Sequence, residues 1–464
     1  MSSKNNISNF TIEVKRSLEL KDEVLDYISA SFNVAQFASF APIDLKPRYS
    51  RIYGFKPNEH CDTIEKTLEV LINSSQDRSI NVRTFKPGFM KGNPFYYGIK
   101  TVAEACELLK KSAMDGFYSI VNETVDIHDG GVSGVVMNDI IEFSPNDTPK
   151  CVEKPGVCSL PRSSGINILQ TVYGFTPNLN FRDDLRVEFS IHPKRRGFQR
   201  SHTIIWEVEQ ALEHNADFDT VWPNNFSRFI GDKAFGLLIA DELGASVPKA
   251  ILFARNVAPF SFGKETGLHE IWFRTCPIEK TPGRYPTYFG WVDPFQLMNS
   301  ENDLKNVTSI LSQKSVDAVY SGAAVPSKKE LLIEGVKGFG DEFMIGNASP
   351  DKIPAKVISE VNEIYLVLKK QLGEINFEWV YDGTKVWLVQ LSKSTILSSS
   401  KIIYHGKVNN YLKFKVDNNL EELRNLIKKL PPNTGIELIG KIGVTSHFGD
   451  VLRNARIPSK LKSN

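Results

Sequence analysis

The 464-residue chain repeats itself once, and the spacing of that repeat limits the folds open to it. Arg83-Thr84 precedes Arg274-Thr275 by 191 positions, Val125-Asp126 precedes Val316-Asp317 by 191, Ile141-Glu142 precedes Ile333-Glu334 by 192, and Val187-Glu188-Phe189-Ser190 precedes Phe377-Glu378-Trp379-Val380 by 190. Four anchors at nearly one offset point to duplication of a structural unit. Within the copies, Val102 to Met114 and Lys356 to Leu372 carry helical spacing, whereas Phe117 to Asn122 and Val132 to Phe143 read as strands. Helices alternating with mixed sheets predict an α+β or α/β protein, and the repeat makes it one of tandem units.

Composition removes several function classes. A net charge of +2 creates no field that would gather nucleic acid or a membrane surface. Hydrophobic content of 41% and charged content of 24% fit a folded protein. No apolar run approaches the roughly 18 residues of a membrane span, and Met1 to Phe10 is polar, without a secretory core. The five cysteines form no CxxC pair and no histidine lies at metal-ligand spacing, so reduced thiols and a cytoplasmic location are expected.

Chemistry-bearing segments follow one another through the second copy. Gly231-Asp232-Lys233 opens an apolar helix that leads to a proline-bounded strand ending near Phe253. Next come Ile271 to Cys276 with Arg274, Leu311 to Asp317 with Gln313, Ser321-Gly322, and Leu331 to Asp351 with Glu334. In Phe377 to Gln390, Asp382-Gly383 makes a hairpin turn that brings Glu378 and Gln390 to one face. Near the end, His447 stands between the hydroxyl residues Thr445-Ser446 and an amphipathic helix pattern, where free N–H groups and the helix dipole favour phosphate charge.

In this order, over residues 226–458, the segments resemble the ATP-grasp domain and swivelling phosphohistidine domain of phosphoenolpyruvate synthase, pyruvate phosphate dikinase and rifampicin phosphotransferase. The resemblance implies a nucleotide-binding domain at 216–394, a polar linker from Ser394 to Ser400 and a short phosphohistidine-like domain at 401–464. It implies ATP held by Lys233, Arg274, Gln313 and Glu334, and magnesium held by Glu378 and Gln390. His447 would be the nucleophile beside Thr445 and Ser446, passing a phosphoryl group to an unidentified small-molecule or protein acceptor. No pyruvate-binding barrel is expected, since the chain stops six residues after Pro458. Two positions depart from the family pattern: Ser392 and Val444 stand where arginines are usual.

By the repeat, residues 1–215 are a second ATP-grasp-like unit in which Glu207 lies opposite Glu188. Only Asp44-Leu45-Lys46 falls near the expected place of the Gly-Asp-Lys helix start. This half is either a decayed copy that supports structure or binds the acceptor, or a second nucleotide site built on Arg83, Glu123, Glu142, Glu188 and Glu207. Asp129 to Gly134 reads as a hairpin turn in preference to a phosphate-covering loop, Lys194-Arg195-Arg196 and Arg200 as loop-tip cations, and Cys151 to Gly156 has no assigned role. Two rivals stand beside phosphotransfer: an ATP-grasp ligase forming an acyl phosphate, with no role for His447, and a catalytically silent nucleotide sensor or scaffold.

Overall fold

The computed structural model describes residues 20–59, 61–87, 93–149, 154–211, 221–278, 284–300, 306–327, 331–394, 398 and 401–462. It divides into two compact units, residues 1–166 with 175–217, and residues 167–174 with 218–464. Among the described residues, no helix is long and apolar enough to cross a membrane.

The first unit opens with α1 (Lys21–Ile28). Strands β1 (Phe37–Phe40), β2 (Pro47–Arg51), β3 (Ile80–Phe85), β4 (Phe95–Ile99) and β5 (Tyr118–Glu123) then form an antiparallel sheet in the order β2-β1-β5-β3-β4. Helices α2 (Ile64–Ser74) and α3 (Val102–Met114) cover one face, burying Leu68, Leu71 and Leu109 against Val82 and Val121. Thr63 and Thr101 cap their N-termini by accepting from the backbone three residues on. The second sheet takes β6 (Val132–Met137), β7 (Ile140–Pro145), β8 (Cys158–Pro161), β9 (Leu185–Arg196) and β10 (Ser201–Gln210) in the order β10-β9-β6-β7-β8. Helix α4 (Arg162–Tyr173) follows β8.

The second unit repeats this plan. Helices α5 (Asn225–Ile230) and α6 (Asp232–Glu242) lead into β11 (Ala250–Ala254), β12 (Phe260–Phe262), β13 (Ile271–Pro277), β14 (Thr287–Phe289), α7 (Pro294–Ser300) and β15 (Val307–Lys314), whose sheet order is β12-β11-β15-β13-β14. Then β16 (Tyr320–Val325), β17 (Leu332–Lys337), α8 (Asp341–Met344), α9 (Ala355–Leu372), β18 (Ile375–Tyr381) and β19 (Val386–Lys393) give a sheet ordered β17-β16-β18-β19. Strand for strand, both sheets match those of the first unit, with β8 as an addition. The fold is therefore α+β with two repeated units.

The match also explains why a fixed offset misses one element. Helix α2 lies between β2 and β3, and the second unit has no helix between β12 and β13. Upstream of that insertion the register is displaced. The counterpart of α6 is α1, which packs on β10 as α6 packs on β19, so Lys21 and not Asp44-Leu45-Lys46 stands in the place of Lys233.

Two local expectations also change. The run from Val132 to Phe143 is no single strand: Asn138 takes φ of +55° and turns β6 back into β7. Asp129 to Gly131 is not a hairpin, since β5 and β6 lie in different sheets; it forms the turn entering β6, fixed by Asp129 accepting from Gly131 N at 3.0 Å.

After β19, strands β20 (Ile402–Tyr404), β21 (Asn410–Lys415), β22 (Thr434–Ile439) and β23 (Ser459–Leu461) form a mixed sheet, β20-β23-β22-β21, with α10 (Leu420–Lys428) and α11 (His447–Asn454). Its core joins Phe414, Leu423, Ile436, Val444, Phe448 and Leu452. Most of the expected linker and Cys151 to Glu153 lie outside the described residues.

Candidate active site

The registers place the acidic residues of each second sheet in one transverse row. In the second unit Ala323 of β16 pairs with Glu334 on one side and Glu378 on the other, and Glu378 pairs with Gln390. In the first unit Val135 pairs with Glu142 and Glu188, and Glu188 with Glu207. Directly paired residues project to the same face, so each row presents its oxygen ligands together. Both rows require a glycine beside them. A Cβ at Gly322 would lie 2.1 Å from the Glu334 carbonyl oxygen, and one at Gly134 would lie 2.0 Å from that of Glu142.

Facing the row of the second unit is the β13–β15 sheet. Register sets Trp272 opposite Gln313 and Arg274 opposite Leu311, so Trp272, Arg274 and Gln313 share a face, while Phe273 is buried on the other against Leu297 and Met298. The cleft between the sheets is open to solvent and is lined by Trp272, Arg274, Gln313, Phe339, Glu378 and Val389 among others. Arg274 Nη1 donates to the Val389 carbonyl at 3.1 Å and lies 3.8 Å from Glu378 Oε2. Gln390 Nε2 donates to Glu378 Oε1 at 3.1 Å. Arg274 Nε and Gln313 Nε2, both buried, have no hydrogen-bond partner among the described residues. Buried donors are rarely left so, and two in one cleft mark where a ligand's acceptors belong.

Lys233 stands in the first turn of α6, near enough to the Cys276 thiol for its charge to act on it. Gly231 makes that approach feasible: its φ is +98°, and a Cβ there would meet Cys276 Cβ at 2.6 Å and Ser309 Oγ at 2.8 Å. Ser309 Oγ donates to the Ile230 carbonyl at 2.6 Å and seats the turn on β15. Burial pushes the Cys276 thiol up, opposed by the nearby charges of Lys233 and Arg274.

Glu334, in the same row, is engaged elsewhere. Its Oε2 accepts from Thr445 N at 2.8 Å and Thr445 Oγ1 at 2.9 Å. Burial raises its pKa and these bonds only partly offset that. Ser446 caps α11 by position alone: its hydroxyl donates back to the Gly443 carbonyl at 2.9 Å and makes no cap bond. Val444 and Thr445 are buried, and the His447 ring lies with Nδ1 3.7 Å from Asp450 Oδ2. The two hydroxyls expected to steady a phosphate beside His447 are thus committed to other partners.

The candidate second site is assembled differently from the reading of its residues. Arg83, Glu188 and Glu207 come together, and Glu142 lies in their row. Glu123 does not join them: it pairs with Ile80, three residues and therefore one face away from Arg83, and accepts from Gln36 N at 2.8 Å and Nε2 at 3.0 Å. Lys21 and Arg83 both pair with Glu207, Lys21 also meets Glu209 at 2.5 Å, and Arg186 lies 2.9 Å from Glu188. Sequence reading missed Lys21, Arg186 and Glu209. The alternation of β9 and β10 could have exposed the last two, since Arg186 and Glu209 stand two residues from Glu188 and Glu207. Arg196 is no loop-tip cation, being buried against Asp77 at 2.7 Å, and Arg200 stacks on Tyr53 at 4.2 Å.

Magnesium fits the second unit's row. Glu378 and Gln390 offer hard oxygen ligands side by side, and that ion needs only one or two protein groups beside phosphate and water. Among the described residues, no group of three or more His, Cys, Asp or Glu could hold a metal ion alone.

No family model and no curated protein matches the chain. Among solved structures it is similar to the D-Ala:D-Ser ligase of Enterococcus faecalis (14% identity, 36% of this chain and 52% of that one, TM-score 0.22). It is also similar to an ATP-complexed D-alanine–D-alanine ligase of Bacillus anthracis (10%, 34% and 54%, 0.24) and to D-cycloserine synthetase (12%, 42% and 63%, 0.23). The chain spans about half to three fifths of the length of these proteins. They are ligases and synthetases, not phosphohistidine transferases. The resemblance to the phosphoenolpyruvate synthase family, with its kinase activity and its phosphorylated His447, is corrected accordingly.

Proposed function

We propose that the second unit is an ATP-dependent ligase site that activates a carboxylate as an acyl phosphate. The observation that carries this reading is the pair of orphaned donors, Arg274 Nε and Gln313 Nε2, in a cleft that is also lined by Glu378, with Gln390 paired beside it. Gln313 suits a base edge, and Lys233 and Arg274 suit the phosphates, where the guanidinium can bind two oxygens at once. Glu378 and Gln390 would hold magnesium, which when bound neutralises phosphate charge. A substrate carboxylate oxygen attacks the γ-phosphorus, the bond to the bridging oxygen breaks and ADP leaves. An amine then attacks the acyl carbon, the C–O bond breaks, inorganic phosphate departs and the amine's proton passes to solvent. The protein's share is alignment and charge stabilisation.

The test is incubation with Mg-ATP, hydroxylamine and pooled amino acids as carboxylate donors. ADP with hydroxamate is the expected product, lost in Glu378→Gln. A folded protein that forms neither, or an acid-labile phosphate on the chain, would overturn the reading.

A further inference from the structure

The two rows differ in one systematic respect. In the second unit the residues flanking the carboxylate are neutral: Gln390 faces Glu378, and Ser392 faces Asn376. At the same register positions the first unit has Glu207 facing Glu188 and Glu209 facing Arg186. The added acids are taken up by the cations of the same face. Lys21 pairs with Glu207 and Glu209, Arg83 with Glu207, and Arg186 with Glu188 and, at 3.6 Å, Glu209. Three cations thus meet three carboxylates.

The scaffold beneath is unchanged. Arg83 leaves β3 at the position of Arg274 and donates to the Trp206 carbonyl at 3.0 Å, as Arg274 does to Val389. Lys21 stands on the helix equivalent to that of Lys233. These are the groups that would meet phosphate, yet Glu207, 1% exposed, already fills their coordination. An entering phosphate would have to displace a buried carboxylate that has no other cation within reach among the described ion pairs.

We propose that the first unit contains a latent polyphosphate site of the nucleotide class, closed by Glu207 acting as an internal counter-anion. Glutamate against glutamine at this single register position decides which unit accepts nucleotide. The proposal rests on the reading of the second unit as a nucleotide site.

Binding of Mg-ATP analogue with a non-hydrolysable β–γ bridge, followed by calorimetry on the full chain, tests it. Wild type should take one nucleotide, and Arg274→Ala/Glu378→Gln none. Adding Glu207→Gln to that double variant should restore one site, which Arg83→Ala then removes. If Glu207→Gln leaves the protein unfolded, Arg186→Asn/Glu207→Gln keeps the charge balanced, leaves Lys21 and Arg83 in place, and copies Asn376 and Gln390 of the second unit. A folded triple variant that binds nothing, or an Arg274→Ala/Glu378→Gln variant that still binds one nucleotide, overturns the proposal. A wild type that binds none overturns instead the reading of the second unit, and the gain on Glu207→Gln remains measurable.

Discussion

Arg83 and Arg274, 191 positions apart, make the same bond: each Nη1 donates to the carbonyl of the extra residue in a β-bulge, Trp206 at 3.0 Å and Val389 at 3.1 Å. The bulges are equivalent, since Phe189 pairs with Ile205 and Glu188 with Glu207, skipping Trp206, while Trp379 pairs with Leu388 and Glu378 with Gln390, skipping Val389. A bulge twists its strand and turns one carbonyl out of the ladder. Here that carbonyl ties the two sheets of each unit together.

The same bond should have unequal worth in the two units. Arg83→Ala leaves the buried Glu207 with one cation fewer, and a loss of about 3 kcal/mol is expected. Arg274→Ala leaves Glu378 bonded to Gln390, and about 1 kcal/mol is expected, together with roughly tenfold or greater weakening of nucleotide binding. Urea unfolding of both variants, with calorimetric titration of the second, measures the contrast.

Gly134→Ala and Gly322→Ala should each destabilise the chain by about 1–3 kcal/mol, because a methyl group would enter the neighbouring carbonyl oxygen and force the strands apart. Gly338→Ala is a fair control for surroundings, with nothing near its would-be Cβ, although its φ of +79° carries its own smaller strain. Thermal melts that rank Gly338→Ala as the most damaging of the three would contradict this account.

What the sequence exposed is what duplication conserves in register: Arg83 with Arg274, Glu142 with Glu334, Glu188 with Glu378. Those pairs recur because strand alternation fixes which residues reach the cleft face. Lys21 stayed hidden because α2 is inserted between it and the first anchor, and a constant offset cannot cross an insertion. Glu123 was misplaced because a motif gives position along a strand but not parity, and one residue reverses the face. The Thr445–Glu334 contact joins residues 111 positions apart and leaves no periodic trace. The reading of His447 failed for a related reason: Thr445-Ser446 ahead of a helix looks like an open cap, whereas Thr445 bonds the distant Glu334 and Ser446 turns back to the Gly443 carbonyl.

The hairpin between β18 and β19 carries a pH dependence of known sign. Burial alone would push the Asp382 carboxyl up, but hydrogen bonds from Thr384, Trp387 and Lys385 outweigh it and hold it at about 2, below the usual 3.8. A depressed carboxyl stabilises the fold above its unfolded pKa, and that contribution fades as pH falls toward the folded value. Asp382→Asn should therefore lower the melting temperature fully above pH 4, with the gap from wild type closing by about pH 2. A gap that persists unchanged at pH 2 would assign the effect to lost hydrogen bonds alone.

His447→Ala and Thr445→Val separate the C-terminal segment's structural part from any chemical one. His447 lies 3.7 Å from Asp450, which Arg453 holds at 2.8 Å in any case, so removing the ring should cost little stability. If the second unit works through an acyl phosphate, His447→Ala should leave ADP formation within about twofold of wild type, since no step passes through the imidazole. Thr445→Val deletes one of the two bonds that satisfy the buried Glu334 carboxylate and should destabilise by about 1–3 kcal/mol. It should also speed hydrogen exchange at α11 relative to α9, because the lost bond anchors the segment that leads into α11. A rate collapse on His447→Ala with unaltered folding would place the ring in the chemistry and undo the ligase assignment.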